Sequence, residues 1–494
     1  MSPEHSSLQS PPARPQPGAE RNSVQSLRRR PHAQVLVVGG GINGVGTFRD
    51  LALQGVDVAL VERGDYCQGA SGASSHMIHG GIRYLENGEF RLVRESVVER
   101  NRLLKIAPHY VKPLQTTIPI FSTFSGVLSA PLRFLTHKQQ GNPKERGAFL
   151  IKVGLSLYDS FSRDGGTVPR HQFRTHKAAL QELPELRPDV KYTATYFDAS
   201  VHNPERLTLD VLQDGEKAGR TGKARAAGAQ GDTARASNYL SLQSMSAPGA
   251  GAGRGSSVRL CDELTGEEFN FTADIIVNTT GAWVDLTNEA MGAASSFMGG
   301  TKGSHIVLDH PGLLAACRGR EIFFEHTDGR IVLIYPMGDR VLVGTTDVDA
   351  DMSQDAVCTD EEIQYFFDLI GHVFPTTNVS RDDIVYTFSG VRPLPSHDAT
   401  QPGFVSRDYR IERHASGNNG SGAVVLSLVG GKWTTFRALA EHLTDEVLSE
   451  LGAQRKVSTA LLPIGGGAGF PANDAAVQEW IKAHMGAGRD ADRT

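Results

Sequence analysis

Gly39, Gly41 and Gly44 form a GxGxxG in the string VLVVGGGINGVG, directly after an apolar run. Glycines so spaced turn a strand into a helix and let backbone amides approach a pyrophosphate at the positive helix end. Glu62 stands 18 residues beyond Gly44, at the end of a second apolar run, where a carboxylate can accept ribose hydroxyls. A glycine-rich turn in an ordinary α/β protein is the bland alternative, and the motif by itself does not separate FAD from NAD. Three further segments bear on that choice. Ser74, Ser75, His79, Gly80 and Gly81 make a small-residue loop that allows backbone to pass close to a flat ring. The turns at Thr280-Gly281 and Gly430-Gly431-Lys432 both follow apolar strands and should reach the same sheet edge. A helix beginning near Thr434 would direct its N-terminus at a reduced, negatively charged ring. Turns converging in this way favour FAD.

The elements that must place these residues are legible as runs and breaks. Val35 to Val38 reads as a buried parallel strand, a helix follows to about Gly55, and Val56 to Val61 is the next strand. A helix is expected from Glu205 to about Leu212. Residues 214–257 read as a low-complexity insertion, an expanded surface loop flanking a strand from Tyr239 to Leu242. VRLCDE and EFNF, joined by Leu264-Thr265-Gly266, form a hairpin leading into the strand of IIVNTTGAW. Alternating runs between Gly303 and Val348 predict a separate, mostly antiparallel sheet, and Ala423 to Val429 is a last strand before the Gly430 turn. The expected fold class is therefore α/β: a discontinuous Rossmann-like lobe with a β-rich lobe inserted into it. Its expected boundaries are 33–120, 185–285 and 395–455 for the dinucleotide lobe, and 121–184 and 286–394 for the inserted lobe. Residues 1–32 are an expected disordered tail, and 456–494 a short C-terminal tail.

Charge and composition exclude several classes. Fifty basic and 55 acidic residues give a formal net charge of −5, so no basic excess argues for nucleic acid. The four cysteines, Cys67, Cys261, Cys317 and Cys358, are scattered without a CxxC pair; this fits a reduced compartment, with no metal site expected. No run has the roughly 18 apolar residues of a membrane-spanning helix. A mitochondrial presequence stays open for the N-terminal tail, although Glu4, Glu20 and several prolines interrupt the amphipathic helix it would need.

The string SSHMIHGGIRYLENGEFRLVRE (74–95) is similar to the SSKLIHGGLRYLE signature of the FAD-dependent, quinone-linked glycerol-3-phosphate dehydrogenases. KGSHIVL, VGTTDV, SRDDIVYTFSGVRPL, SRDY and GGKWTTFR follow in the family's order, from about residue 33 to about 465. The resemblance implies the fold of D-amino acid oxidase, FAD as cofactor, and oxidation of sn-glycerol 3-phosphate to dihydroxyacetone phosphate. Arg83, Tyr84, Arg392 and Lys432, with Arg407 a weaker member, would then clamp the phosphate and hydroxyls, since guanidinium forks bind oxyanions bidentately. His305 is the first candidate to take the C2 hydroxyl proton and His79 the second, while Arg392 would polarise the oxygen as alkoxide character develops.

The implied partners are glycerol 3-phosphate, a quinone, a peripheral membrane contact and a second copy of the chain in a homodimer. The implied location is the cytoplasm or the inner face of the cell membrane. Basic and apolar residues between Pro131 and Tyr158 suit an anionic bilayer, or equally a solvated loop before a core helix. The residues leave open a glycerol-3-phosphate oxidase using oxygen, another flavin oxidase of this fold, and a non-catalytic flavin-binding protein. Two departures from the family stand out. His76 replaces the usual lysine, and only 57 residues follow Arg437, where the resemblance implies a longer helical region.

Overall fold

The computed structural model describes residues 21–82, 89–123, 147–162, 168–221, 231–246, 255–325, 331–352, 354–395, 408–415, 422–471 and 473–484. Two sheets carry these residues. The first runs in the order β17 (Arg410–Ala415), β18 (Val424–Val429), β10 (Glu268–Asn278), β1 (His32–Val38), β2 (Val58–Val61) and β7 (Ala234–Ser237), with all but β17 parallel. Val38 lies opposite both Val61 and Asn278, and Asn278 opposite Ser427, so the parallel strands finish along one edge. Both faces of β1 are covered. Val35 and Val37 pack with Phe48, Leu207, Phe436 and Leu443 from the helices Ile42–Gln54, Pro204–Thr221 and Phe436–Glu450. Leu36 and Val38 pack on the other side with Leu240, Val258 and Phe271. Burial on both faces is why the stretches 35–38, 58–61 and 275–277 read as unbroken apolar runs.

Two sequence expectations need correction here. Residues 22–29, assigned to the disordered tail, form a helix whose Val24 and Leu27 are fully buried; its basic end is held by Arg28–Glu267 and Arg30–Asp57 ion pairs. A two-residue apolar stripe in a polar segment is too sparse to signal a core, but enough to dock on a preformed sheet. The 214–257 segment is likewise more than a surface loop. The helix Pro204–Thr221 continues into it, and β7 within it is a buried parallel strand beside β2. ARAS is short, with one charge, yet Arg235 points its guanidinium at Arg30 and His32 carbonyls and at Asp57, so the charge is satisfied at the sheet's edge. The antiparallel pair β8 (Leu240–Ser246) and β9 (Ser256–Asp262) then returns the chain to β10.

Among the described residues the second sheet is almost wholly antiparallel, only its β12–β4 pair being parallel. Its order is β15 (Val348–Asp349), β11 (Met298–Leu308), β14 (Arg340–Gly344), β13 (Ile331–Met337), β12 (Glu321–Glu325), β4 (Val111–Ile120), β6 (Tyr192–Val201) and β3 (Met77–Ile78). In addition β16 (Ile384–Pro395) pairs with β11, and β5 (Gln172–Thr175) with β6. The expected lobe boundaries at 120 and 185 therefore misplace β4 and β6, which belong to this second sheet. The C-terminal segment folds back on the first lobe: Ile464 is fully buried, its amide donates to Ile106, and Arg49 donates to the Pro463 carbonyl. Among the described residues, no helix is long and apolar enough to cross a membrane.

Candidate active site

The glycine turn after β1 is shaped by its neighbours. Gly39 has φ +108°, and a Cβ there would stand 2.7 Å from the Thr279 carbonyl oxygen. A Cβ on Gly44 would overlap the Gly39 carbonyl and stand 2.7 Å from Thr279 Oγ1, while one on Gly41 would approach Ser71 Oγ to 3.1 Å. The bare backbone is thus what lets the Thr279 turn and the loop at Ser71 close around the start of the helix Ile42–Gln54. Ser71 Oγ accepts from the Ile42 amide at 3.0 Å. Glu62 Oε2 accepts from Gly40 N at 2.6 Å and its Oε1 from Gly64 N at 2.8 Å. Burial raises this carboxyl's pKa and the two amides oppose the rise. Each oxygen keeps acceptor capacity, as a ribose contact requires.

The loop from Ser71 to Ile82 ties the two lobes together. Trp433 Nε1 donates to the Ser71 carbonyl at 2.8 Å, and Thr434 Oγ1 to the His79 carbonyl at 3.2 Å. On the other side Ser75 Oγ is 2.8 Å from His305 Nε2, and Ala73 sits so close to Gly390 that a Cβ there would be 2.6 Å away. Gly281 (φ +63°) faces Pro393 of β16. The Gly39, Thr280 and Gly430 turns, Ser75, His305 and Arg392 therefore gather where the parallel sheet's edge meets β11 and β16. Lys432 donates to Ser96 Oγ at 2.9 Å on the helix Phe90–Ile106.

Thr301, Gly303 and His305 occupy alternate positions on β11 and so share one face, and Thr301 lies opposite Arg392 on β16. A Cβ on Gly303 would be 2.7 Å from the Arg392 guanidinium carbon, so that glycine makes room for the cation beside His305. Arg392 Nη1 donates to Asp347 Oδ1 at 2.7 Å and to the Lys302 carbonyl; Nη2 donates to Thr345 Oγ1 and to the Thr346 carbonyl at 2.7 Å. It is a fixed cation, not a swinging clamp. His305 is 3% exposed and stacks on Phe388 with 4.7 Å between centroids. Burial, then the Arg392 charge, then His76 push its pKa down to about 3. Its Nδ1 is buried, with no hydrogen-bond partner among the described residues. A buried N–H left unpaired costs more than an unpaired lone pair, so the proton belongs on Nε2, toward Ser75, and Nδ1 is the free acceptor. Other buried atoms without a partner among the described residues, including His76 Nδ1, Thr301 Oγ1, Asn43 Oδ1 and Thr435 Oγ1, lie on the same converging segments.

Arg83, Tyr84 and Arg407 lie outside the described residues. Gly80 is small for a reason the sequence reading did not supply: a Cβ there would run into the Tyr158 hydroxyl, with Val97 Cγ2 at 2.7 Å. Sequence reasoning also passed over Ser71, Trp433 and Thr279, whose roles are backbone contacts, and Asp347 as the partner of Arg392. The last was within reach, because GTTDV and SGVRPL each place one charge in an otherwise uncharged string.

A model of the FAD dependent oxidoreductase family matches residues 34–445. The chain is 36% identical to a glycerol-3-phosphate dehydrogenase of Synechocystis over 457 residues, covering 88% of this chain and 74% of that protein. It is 34% identical to the D-erythritol 1-phosphate dehydrogenase of Brucella abortus, covering 85% and 74%. The chain belongs to the FAD-dependent oxidoreductase family. Among solved structures, the glycerol-3-phosphate dehydrogenase of Bacillus halodurans complexed with FAD superposes with a TM-score of 0.68 at 23% identity, covering 95% of this chain and 75% of that one. This shared fold is the D-amino acid oxidase type, an FAD-binding sheet of parallel strands facing a β-rich lobe. The turn fits the cofactor: three bare glycines let the Thr279 turn and the Ser71 loop close on the start of the helix, and Glu62 stands at the adjoining strand end. In this FAD-dependent oxidoreductase, Gly39 to Gly44 and Glu62 would hold the nucleotide end. The Ser74–Gly81 loop, Thr280-Gly281 and Gly430 to Thr434 would hold the ring end.

Proposed function

We propose that this enzyme oxidises sn-glycerol 3-phosphate to dihydroxyacetone phosphate and passes the electrons on to a quinone. Bound FAD would supply the acceptor, at N5, for the hydride that leaves C2. The observation that carries the reading is the juxtaposition on β11 and β16 of a neutral, buried imidazole with a fixed guanidinium. Arg392 favours alkoxide character on the C2 oxygen, and His305, through Nδ1, is assigned the hydroxyl proton as that charge develops. Such a cold base works only when the hydride departs in the same event, because its conjugate acid is disfavoured at neutral pH. Lys432, with Arg83, Tyr84 and Arg407, is assigned the phosphate. His79 is the second candidate for that proton, and its carbonyl anchors Thr434.

The names of the two relatives given above support a polyol phosphate as substrate. A peripheral membrane contact is supported by Phe149, Val153 and Leu157, which are spaced four residues apart on the helix Ala148–Ser162 and are 52%, 44% and 43% exposed. The test is anaerobic mixing of FAD-loaded protein with glycerol 3-phosphate or erythritol 1-phosphate, followed by flavin absorbance near about 450 nm. Bleaching by glycerol 3-phosphate, and rapid recolouring by a quinone analogue but slow recolouring by oxygen, is expected. Rapid recolouring by oxygen would make the protein an oxidase. Absence of bleaching would overturn the substrate assignment.

A further inference from the structure

We propose that a buried cluster of Arg100, Asp198 and Tyr158 is a positioning device for the loop that joins the two lobes, acting through the amide of Gly80. The inference rests on the reading of that loop as part of the active site. Its three members come from different elements: the helix Phe90–Ile106, β6 and the helix Ala148–Ser162. All three are essentially inaccessible to solvent. A single oxygen, Asp198 Oδ1, accepts from Gly80 N at 2.9 Å, from Arg100 Nη1 at 3.0 Å and from the Tyr158 hydroxyl. Arg100 also donates to the Phe197 carbonyl at 3.0 Å and to Asn101 Oδ1 at 3.0 Å.

Burying an ion pair is a poor route to stability alone, since apolar residues of similar volume usually do as well. This pair does something apolar residues cannot. It supplies a charged acceptor for one loop amide, with two donors fixing where that acceptor stands. The Tyr158 hydroxyl fills the space a Gly80 side chain would need, so the loop is gripped by a hydrogen bond and by shape. Burial holds the Tyr158 pKa well above its ordinary value, and the phenol stays a donor throughout the working range. The neighbouring residues of the gripped amide are His79, whose carbonyl receives Thr434, and, four positions upstream of His79, Ser75 on His305. Displacing Gly80 therefore disturbs both lobes' contacts at once.

The test is Tyr158→Phe in the full-length, FAD-loaded protein, which keeps the ring and removes one donor. Amide hydrogen exchange over residues 78–82 should accelerate at least about fivefold, the worth of one net hydrogen bond, both with FAD and after its removal. The visible circular dichroism of the bound flavin should change. The kcat for glycerol 3-phosphate should fall about tenfold, with KM altered much less. Gly80→Ala attacks the same contact from the loop side, leaves the Arg100–Asp198 pair in place, and should give the same signature. As a control for lost stability alone, Ile370→Val, in a different apolar core packed with Ile306, Ile322 and Val343, should lower the melting temperature and leave exchange and dichroism unchanged. Wild-type exchange and an unaltered dichroism band in both loop variants would overturn the proposal. Faster exchange and altered dichroism in a protein that never oxidises glycerol 3-phosphate would support the device while rejecting the substrate.

Discussion

Replacing Gly44 by alanine should strip the protein of FAD without unfolding it. The added Cβ would overlap the Gly39 carbonyl oxygen and stand 3.1 Å from its carbon and 2.7 Å from Thr279 Oγ1. Neither neighbour can give way cheaply. Gly39 is backbone, with its amide bonded to the Val61 carbonyl, and the Thr279 hydroxyl is held by the Val38 and Gly39 carbonyls at 2.9 and 3.2 Å. Overpacking of this kind costs about 1–3 kcal/mol, and loss of the hydroxyl's bond about 1 kcal/mol more. The strain is relieved by moving the start of the helix Ile42–Gln54 off the turn, which is the movement that opens the pyrophosphate cradle. If about 3 kcal/mol appears as lost affinity, the FAD dissociation constant rises roughly 100-fold. Gly46→Ala is the internal comparison. Its Cβ would meet Phe436 Cδ2 at 3.1 Å and Ala440 Cβ at 3.3 Å, side chains on the far side of the helix, so stability should shift slightly and FAD affinity hardly at all. The assay is the flavin-to-protein absorbance ratio after purification, then calorimetric titration of FAD into stripped protein. A Gly44→Ala protein whose FAD affinity stays within about threefold of wild type would refute the placement of the cradle, since that change is under 1 kcal/mol.

Arg392→Lys should lower kcat/KM at least about 100-fold, because an ammonium cannot reproduce a fork bonded to Asp347, Thr345 and two carbonyls; steady-state kinetics within about fivefold of wild type would be inconsistent with the fixed-cation role. The folded-state pKa values of His305 and His76, about 3 and about 4, lie below their unfolded values, so the unfolded chain takes up protons first as pH falls. Stability contributed by these groups is present above about pH 6.5 and is lost on acidification, by up to about 2 kcal/mol per group at pH 5. His305→Asn should flatten the dependence of melting temperature on pH between about 6.5 and 4.5, and an unchanged slope would count against a buried neutral imidazole. Glu321 has the opposite sign. Burial raises its pKa to about 8, so the stability it contributes is complete below its unfolded value and disappears as pH rises through about 8. Glu321→Gln, which can keep the hydrogen bond from Thr116 Oγ1, should therefore gain on wild type steadily between about pH 5 and pH 8 in thermal denaturation. A constant difference across that range would show that Glu321 ionises normally.

Much of this protein was decided locally and could be read in order along the chain. The glycine turn, its flanking strands, Glu62 and the Thr280 and Gly430 turns announce themselves because the central parallel strands, buried on both faces, are runs rich in apolar residues that end in residues able to turn. The parallel alignment then brings those turns to one edge, and the two lobes follow from a change of hydrophobic period. Three things were settled only by packing. The helix Asn22–Arg29 and the strand β7 carry too few apolar residues to signal themselves, and are ordered because a finished sheet offers them a surface. The membership of β4 and β6 in the second sheet is a matter of long-range pairing, which no local pattern encodes. The state of the site residues is also tertiary. Whether Arg392 is free or fixed, which nitrogen of His305 is open, and why Gly80 must be bare depend on Asp347, Ser75 and Tyr158, residues that lie 45, 230 and 78 positions away. Side-chain chemistry is a property of the residue, but its pKa, its partners and its freedom to move belong to the surroundings that folding assembles.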